Sequence, residues 1–512
     1  MIRSILMVST GTLTSRLLGF ARDAMVATLL GAGAVADAFL VAFQLINVIR
    51  RLLTEGALNA ALIPAWSRIH ATQGSDAAAA FAGRVLATIS AAVLVAALLI
   101  GLAMPMVIAT VAPGFVGQPT LQIATDNARL MLPYLAFAGP VTVLMGLYNA
   151  QQRFALTAFS PLLFNAALLG VMALLLMFPQ SAATAAMVMA ATVGLAGFLQ
   201  LAMLMLRQPG GRHAAPLRLA FDRQMRGFLH NALPGMVASS GPQLLIVGAA
   251  VVASSMPSAV SWLYFANRLI ELPLGIVGTA MGSVLIPELT RAARDDDHAL
   301  MLHAQSRGLE LAIGLTLPAT LGLMVLSQPI VRLLFEHGAF TAADTLATAQ
   351  AMIWLALGLP AHVLIKTLSP AFFARENTRT PLIATLVGLI VAIVAAYGLG
   401  AQYGASGIAA AIALAAWSNA LLLIIQGGVS FGWAIDAEAR RRLPVIVLAA
   451  LTMGAALWAL TRSMPSADHR LAQAAWLALQ ILCGLAIYIV PLMLSGALRW
   501  RDIRSALKTP AG

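Results

Sequence analysis

Apolar stretches long enough to cross a bilayer follow one another along nearly the whole chain. A span needs about 20 largely apolar residues. Such runs occupy roughly 5–29, 35–62, 82–112, 122–148, 156–178, 182–206, 227–253, 258–287, 308–334, 345–373, 381–400, 404–427, 442–461 and 471–496. A bilayer core offers no water to backbone N–H and C=O groups, so each run must satisfy its own as a helix. The expected fold is an all-α polytopic membrane protein with about 14 transmembrane helices. Composition points the same way: 60% of the residues are hydrophobic and only 10% charged, against about 45–50% and 25% in soluble domains. That charge is too sparse to coat soluble domains made from 512 residues, and the hydrophobicity excludes intrinsic disorder. The first stretch starts at Met1 and continues past Arg16, which is not the pattern of a cleaved signal peptide. The single cysteine, Cys483, rules out an intrachain disulfide.

What charge remains is lopsided. Lys and Arg number 31 against 19 acidic residues, a formal net charge of +12, and only Lys366 and Lys508 are lysines. Nucleic-acid binding would need a basic face on a soluble module, and no such module is visible. Most of the arginines instead collect in the even-numbered loops: Arg68, Arg153, Arg207, Arg212, Arg218, Arg223, Arg226, Arg291, Arg294, Arg375, Arg379, the run Arg440-Arg441-Arg442, and the tail Arg499, Arg501, Arg504 and Lys508. Odd-numbered loops hold few, among them Arg129, Arg332, Arg462 and Arg470. Under the positive-inside rule both termini are expected in the cytoplasm.

Aligned with itself at an offset of 223, the chain pairs Leu62-Ile63-Pro64 with Leu285-Ile286-Pro287, Ser67-Arg68 with Thr290-Arg291, and Arg84 with Arg307. Pro105 falls one residue out of phase with Pro329. Each unit then holds six spans in the same orientation, with two spans left over. The expected organisation is an N-lobe over 1–206, a basic cytoplasmic connector over 207–226 and a second lobe over 227–428. The last two helices follow at 440–497, and a cytoplasmic tail at 498–512. Two six-helix lobes with a cleft between them form an alternating-access transporter layout.

Most spans are clean of charge, so the exceptions stand out. The first carries Arg16, Arg22 and Asp23; the second carries Asp37, Arg50, Arg51 and Glu55; the eighth carries Asn267, Arg268 and Glu271; the tenth carries Lys366. A charge near the bilayer centre costs at least ~2.5–3.5 kcal/mol. These side chains must therefore face a hydrated cavity or one another, and are functional candidates. Arg16 and Arg22 are six residues apart, about 120° around a straight helix; only a bend, which Gly19 would permit, could bring them onto one face. Arg51 with Glu55 and Arg268 with Glu271 can pair locally, which leaves net positive charge. Interlobe salt bridges and snorkelling side chains would explain the set structurally. A cationic cavity for phosphate explains it functionally, because the guanidinium fork binds oxygens bidentately. Nothing in the sequence supports catalysis: no P-loop, nucleophile elbow or HExxH motif occurs, and no metal or cofactor is expected.

The segments Ser15-Arg16-Leu17-Leu18-Gly19-Phe20-Ala21-Arg22-Asp23, Ala36-Asp37-Ala38-Phe39 and Asn47 to Ala57 resemble the opening of the MurJ (MviN) family of bacterial lipid II flippases. Val260-Ser261-Trp262-Leu263-Tyr264, Asn267 to Glu271 and the stretch from Phe372 to Pro381 extend the likeness over essentially the whole chain. The resemblance implies the fold of the multidrug/oligosaccharidyl-lipid/polysaccharide exporters, and a last helix pair that helps form a groove for a lipid tail. It implies transport, not enzymatic turnover, of undecaprenyl-diphosphate-linked disaccharide-pentapeptide to the periplasmic leaflet for peptidoglycan synthesis. It also implies an inner-membrane location, with membrane lipids and peptidoglycan synthases as neighbours. Carried over residue by residue, it makes Arg16, Arg22, Arg50 and Arg268 substrate-binding. Asp23, Asp37, Arg51, Glu55, Asn267, Glu271 and Lys366 become cavity or gating residues. Family members often have Asp where this chain has Asn267, which removes a negative charge and makes the expected cavity more cationic. Energisation by the membrane potential or an ion gradient is expected. The rival reading is an exporter of another polyprenyl-linked glycan or of small drugs with the same fold.

Overall fold

The computed structural model describes residues 2–54, 57–206, 214, 216–220, 222, 225–230, 241–294, 298–373, 375, 377–431, 435–463 and 469–496. Among these residues every regular element is helical. In chain order they are α1 (Ile2–Leu30), α2 (Ala34–Thr54), α3 (Ala57–Gln73), α4 (Ser75–Leu102), α5 (Met104–Val111), α6 (Pro119–Ala150), α7 (Phe154–Met177), α8 (Ala182–Leu206) and α9 (Gly241–Ala253). There follow α10 (Ala259–Arg294), α11 (His298–Val325), α12 (Ser327–Phe335), α13 (Ala342–Leu357), α14 (Leu359–Phe373), α15 (Arg379–Phe431), α16 (Ala437–Ser463) and α17 (Arg470–Leu494). Nine stretches among the described helices are long and apolar enough to cross a membrane.

Several expected spans are interrupted, and proline explains three of the breaks. A proline in the first turn of a helix lacks the N–H that a continuing helix would need, and its ring crowds the preceding turn. The third expected span divides at Ala103, just before Pro105, into α4 and α5. The ninth divides at Leu326, before Pro329, into α11 and α12. The tenth divides at Gly358, before Pro360, into α13 and α14. Pro105 and Pro329, paired by the internal repeat, thus mark the same kind of break.

The chain forms two compact units: Met1–Ser261 with Gly338–Phe340, and Trp262–His337 with Thr341–Gly512. In the first, α6 is the hub, packed against α2, α4 and α8, while α7 packs on α1 and α8. Small residues permit the closest approach, as is usual where helices meet in lipid: a Cβ on Gly194 would lie 2.5 Å from the Leu130 carbonyl oxygen. Phe81, Leu62 and Leu147 fill the adjoining core, where the Tyr148 hydroxyl donates to the Leu204 carbonyl at 2.8 Å.

In the second unit α11 packs against α13, α14 and α16, and α17 packs against α16. A core of Leu326, Ile446, Ala449, Ala450, Met453 and Leu457 fills the α11–α16 side. The 53 residues of α15 would measure about 80 Å as one helix, far more than a bilayer core of about 30 Å. The break falls at Gly404, whose φ of 59° and ψ of −139° leave helical geometry. This is the boundary expected between the eleventh and twelfth spans. Beside it, a Cβ on Gly407 would collide with the Leu399 carbonyl oxygen. Gly407→Ala should therefore cost about 1–3 kcal/mol by overpacking and lower the melting temperature of detergent-solubilised protein. Gly398→Ala, where the added methyl meets nothing within 4 Å, should not.

Candidate functional site

The charged residues of the first spans separate by helix face. α1 stays helical through Gly19, so the six-residue spacing acts as it does on a straight helix. Arg16 is exposed and Arg22 is buried; the bend that would bring both onto one face is not observed. Asp23, at 1% exposure, accepts from Arg22 Nε at 2.9 Å and Nη2 at 2.7 Å through its Oδ1. Nη1 of Arg22 donates to Asn165 Oδ1 of α7 at 3.1 Å. The Asn165 amide is oriented by donating from Nδ2 to the carbonyls of Ser15, at 3.2 Å, and Pro161, at 3.4 Å. The guanidinium also lies 4.9 Å from the Phe43 ring centroid and 5.9 Å from that of Phe164, within cation–π range. Charge, fork and flat face are all engaged, so Arg22 is a fixed part of this unit.

Asp37 lies in the first turn of α2, where a carboxylate complements the helix dipole. It is buried, and its Oδ1 accepts from the Ser261 backbone N–H at 2.8 Å and from the Ser261 hydroxyl. Arg50 and Arg51 close α2, the first half-buried and the second exposed, at the helix end that favours cations. Glu55, the expected partner of Arg51, lies outside the described residues.

In the second unit, Asn267, Arg268 and Glu271 form one short cluster on α10. Arg268 Nη1 donates to Glu271 Oε2 at 2.8 Å, and Asn267 Nδ2 donates to Glu271 Oε1 at 3.1 Å. An aspartate at 267 would face Glu271 with like charge; the amide donates to it instead. The Arg268 side chain is 27% exposed and that of Glu271 43%. Lys366 is exposed on α14.

Sequence reasoning missed Asn165 and Ser261, each an uncharged side chain holding a charged one. It also missed Glu310 of α11, and left Arg442 in a cytoplasmic loop with Arg440 and Arg441. Arg442 is instead buried within α16, with Nη1 3.5 Å from Glu310 Oε2. The signal was available: Glu310 is an acid inside an apolar span. Among the described residues no group of three or more His, Cys, Asp or Glu could hold a metal ion.

The family model described as "Lipid II flippase MurJ" matches residues 26–471. A "Probable lipid II flippase MurJ" of Rhizobium meliloti is 37% identical over 90% of this chain and 86% of its own length. One from Rhizobium tropici is 33% identical over 99% and 97%. A "Lipid II flippase MurJ" of Burkholderia cenocepacia is 32% identical over 83% of each chain. Among solved structures, "Lipid II flippase MurJ, inward closed conformation" superposes with a TM-score of 0.79 at 23% identity, covering 98% of this chain and 100% of that one. An inward-facing multidrug transporter of the MATE family gives a TM-score of 0.67 at 14% identity, over 83% of this chain and 97% of that one. Both likenesses concern the fold.

The different surroundings of the two α1 arginines predict different costs of removal. Breaking a buried pair by removing one partner costs about 3–5 kcal/mol, because a charge is left uncompensated. Arg22→Ala should therefore lower the thermal stability of detergent-solubilised protein markedly. Arg16→Ala, at an exposed position, should stay within about 0.5 kcal/mol of the parent.

Proposed function

The chain belongs to the MurJ family of lipid II flippases, and on that footing we propose that it carries lipid II from the cytoplasmic to the periplasmic leaflet of the inner membrane for peptidoglycan synthesis. The reading is supported by two exposed or part-exposed cations on helices expected from the sequence to cross the membrane, Arg16 on α1 of the first unit and Arg268 on α10 of the second. Lipid II joins an anionic diphosphate and peptide carboxylates to a long apolar tail. Arginines in water-filled surroundings within the membrane bind such oxygens with two parallel N–H groups, while the tail remains in lipid.

The roles divide by burial. Arg16 and Arg268 bind the headgroup, with Arg50 nearer the cytoplasmic end of α2. Arg22, held by Asp23 and Asn165, keeps α1 on α7 and fixes the positive field of the site. Glu271 competes with the cargo for Arg268, so that the same carboxylate aids release. Asn267 keeps Glu271 in place without adding negative charge. Both termini are cytoplasmic in this reading, and α16 and α17 take the tail.

Arg16→Ala and Arg268→Ala should each fail to support growth of a flippase-depleted strain while the protein stays at parental abundance in the membrane. Normal growth with either would contradict the proposal. For energisation, a potential of 100 mV is worth about 2.3 kcal/mol per charge moved. A net-cationic moving unit should therefore flip lipid II at least about three-fold faster in proteoliposomes with an inside-negative potential imposed. A rate indifferent to both voltage and ion gradients would exclude this coupling.

A further inference from the structure

The N-terminal end of α16 is fastened to α11 by more polar bonds than a helix end requires. Asp436 Oδ1 accepts the Ala439 N–H at 2.7 Å and so caps α16, while its other carboxylate oxygen lies 3.3 Å from His303 Nδ1 of α11. The Asp436 N–H donates to the Ser306 hydroxyl at 2.9 Å. One turn further along α11, Glu310 is 8% exposed, and its Oε2 accepts from Arg307 at 3.1 Å and from Arg442 at 3.5 Å. Arg442 also pairs with Glu438. Glu310 thus bridges a cation of its own helix and a buried cation of α16.

The fastening continues into the apolar part of both helices. A Cβ on Gly454 of α16 would lie 3.4 Å from the Leu321 Cβ of α11. α17 is tied to the same helix through the Tyr488 hydroxyl, which donates to the Gly314 carbonyl at 2.6 Å. A lighter version occurs in the first unit at Arg84, the repeat partner of Arg307. There Arg84 binds Asp222 at 2.9 Å, Thr88 accepts the Ala220 N–H at 3.2 Å, and Asp222 accepts the Met225 N–H at 2.8 Å. In both units an aspartate clamps the chain to a helix, and among the described residues the buried Glu–Arg bridge occurs in the second.

We infer that Glu310 is a positioning residue that makes α16 and α17 one rigid body with α11, so that the last two helices move with α11 at every step of transport. The inference rests on the lipid II reading for its activity assay only. Among the described residues the junction is bonded at its polar end, close-packed in its middle and tied again through α17. The charges of the bridge are consumed in fastening, since each oxygen or nitrogen placed in apolar surroundings must find a partner there.

A disulfide staple tests this. Leu321→Cys with Gly454→Cys, in a Cys483→Ser background, brings two Cβ atoms to the short end of the about 3.5–4.5 Å that a disulfide spans. Lipid II flipping is measured in proteoliposomes before and after oxidation. The oxidised staple should flip within about two-fold of its reduced form. Glu310→Ala should slow flipping at least about ten-fold, and the oxidised staple added to Glu310→Ala should recover most of that loss. If oxidation halts flipping and reductant restores it, α16 must move against α11 and the inference is overturned. Undiminished flipping by Glu310→Ala, or no recovery with the staple, also overturns it. Should Glu310→Ala fail to accumulate, the staple in the otherwise unchanged protein still decides. If the unsubstituted protein did not flip lipid II at all, the fault would lie with the lipid II reading instead.

Discussion

A charge buried in a hydrocarbon setting must find its counter-charge and hydrogen-bond partners within the protein, because neither water nor lipid supplies them. The Arg22–Asp23–Asn165 arrangement is the clearest case. Its cation is neutralised by the next residue, its third nitrogen is taken by an asparagine two carbonyls hold in place, and its flat face lies against Phe43 and Phe164. These bonds tie α1 to α7 and thereby set where the exposed face of α1, with Arg16 on it, points. Glu310 obeys the same constraint in the second unit, between Arg307 and Arg442.

This constraint sorts charged residues that look equivalent in a list. Asp37, engaged by Ser261, and Arg22 are architectural in their contacts. Arg268 and Glu271 are partly exposed and paired with each other on one helix, and the proposed function has this pair open for another anion. A flippase needs both kinds: fixed charges that shape the field inside the membrane, and exchangeable ones that take and release a headgroup. The proposed division of labour between Arg22 on one side and Arg16 with Arg268 on the other follows from that difference.

Much of the helical layout was legible in the sequence, because twenty-residue apolar runs have few alternatives in a bilayer. The break at Gly404 fell where the eleventh and twelfth runs part, and the Arg268–Glu271 pairing followed from helical spacing alone. The bend at Gly358 lies beside Pro360, a helix-breaking residue visible in the sequence, whereas the interruptions at Ala103 and Leu326 were hidden, since a proline in an apolar run reads equally as a kink or a break. Asn165 and Ser261 were hidden for another reason. A neutral polar residue in a span has no charge to explain, and its importance appears only once packing brings an arginine or aspartate to it. The burial of Arg442 was hidden because a run of three arginines imitates a solvated loop, while its partner Glu310 lies far away in the sequence.

The central proposal is that the exposed or part-exposed arginines of α1 and α10 bind the anionic headgroup of lipid II, and that Arg22 does not do so directly. Native mass spectrometry of the detergent-purified protein tests it without a transport assay. Lipid II should remain bound to the unsubstituted protein. It should be lost, by at least about ten-fold in bound fraction, from the Arg16→Ala/Arg268→Ala double variant that still folds and melts normally. Equal retention of lipid II by that variant, or preferential retention of an unrelated lipid by the unsubstituted protein, would contradict the account.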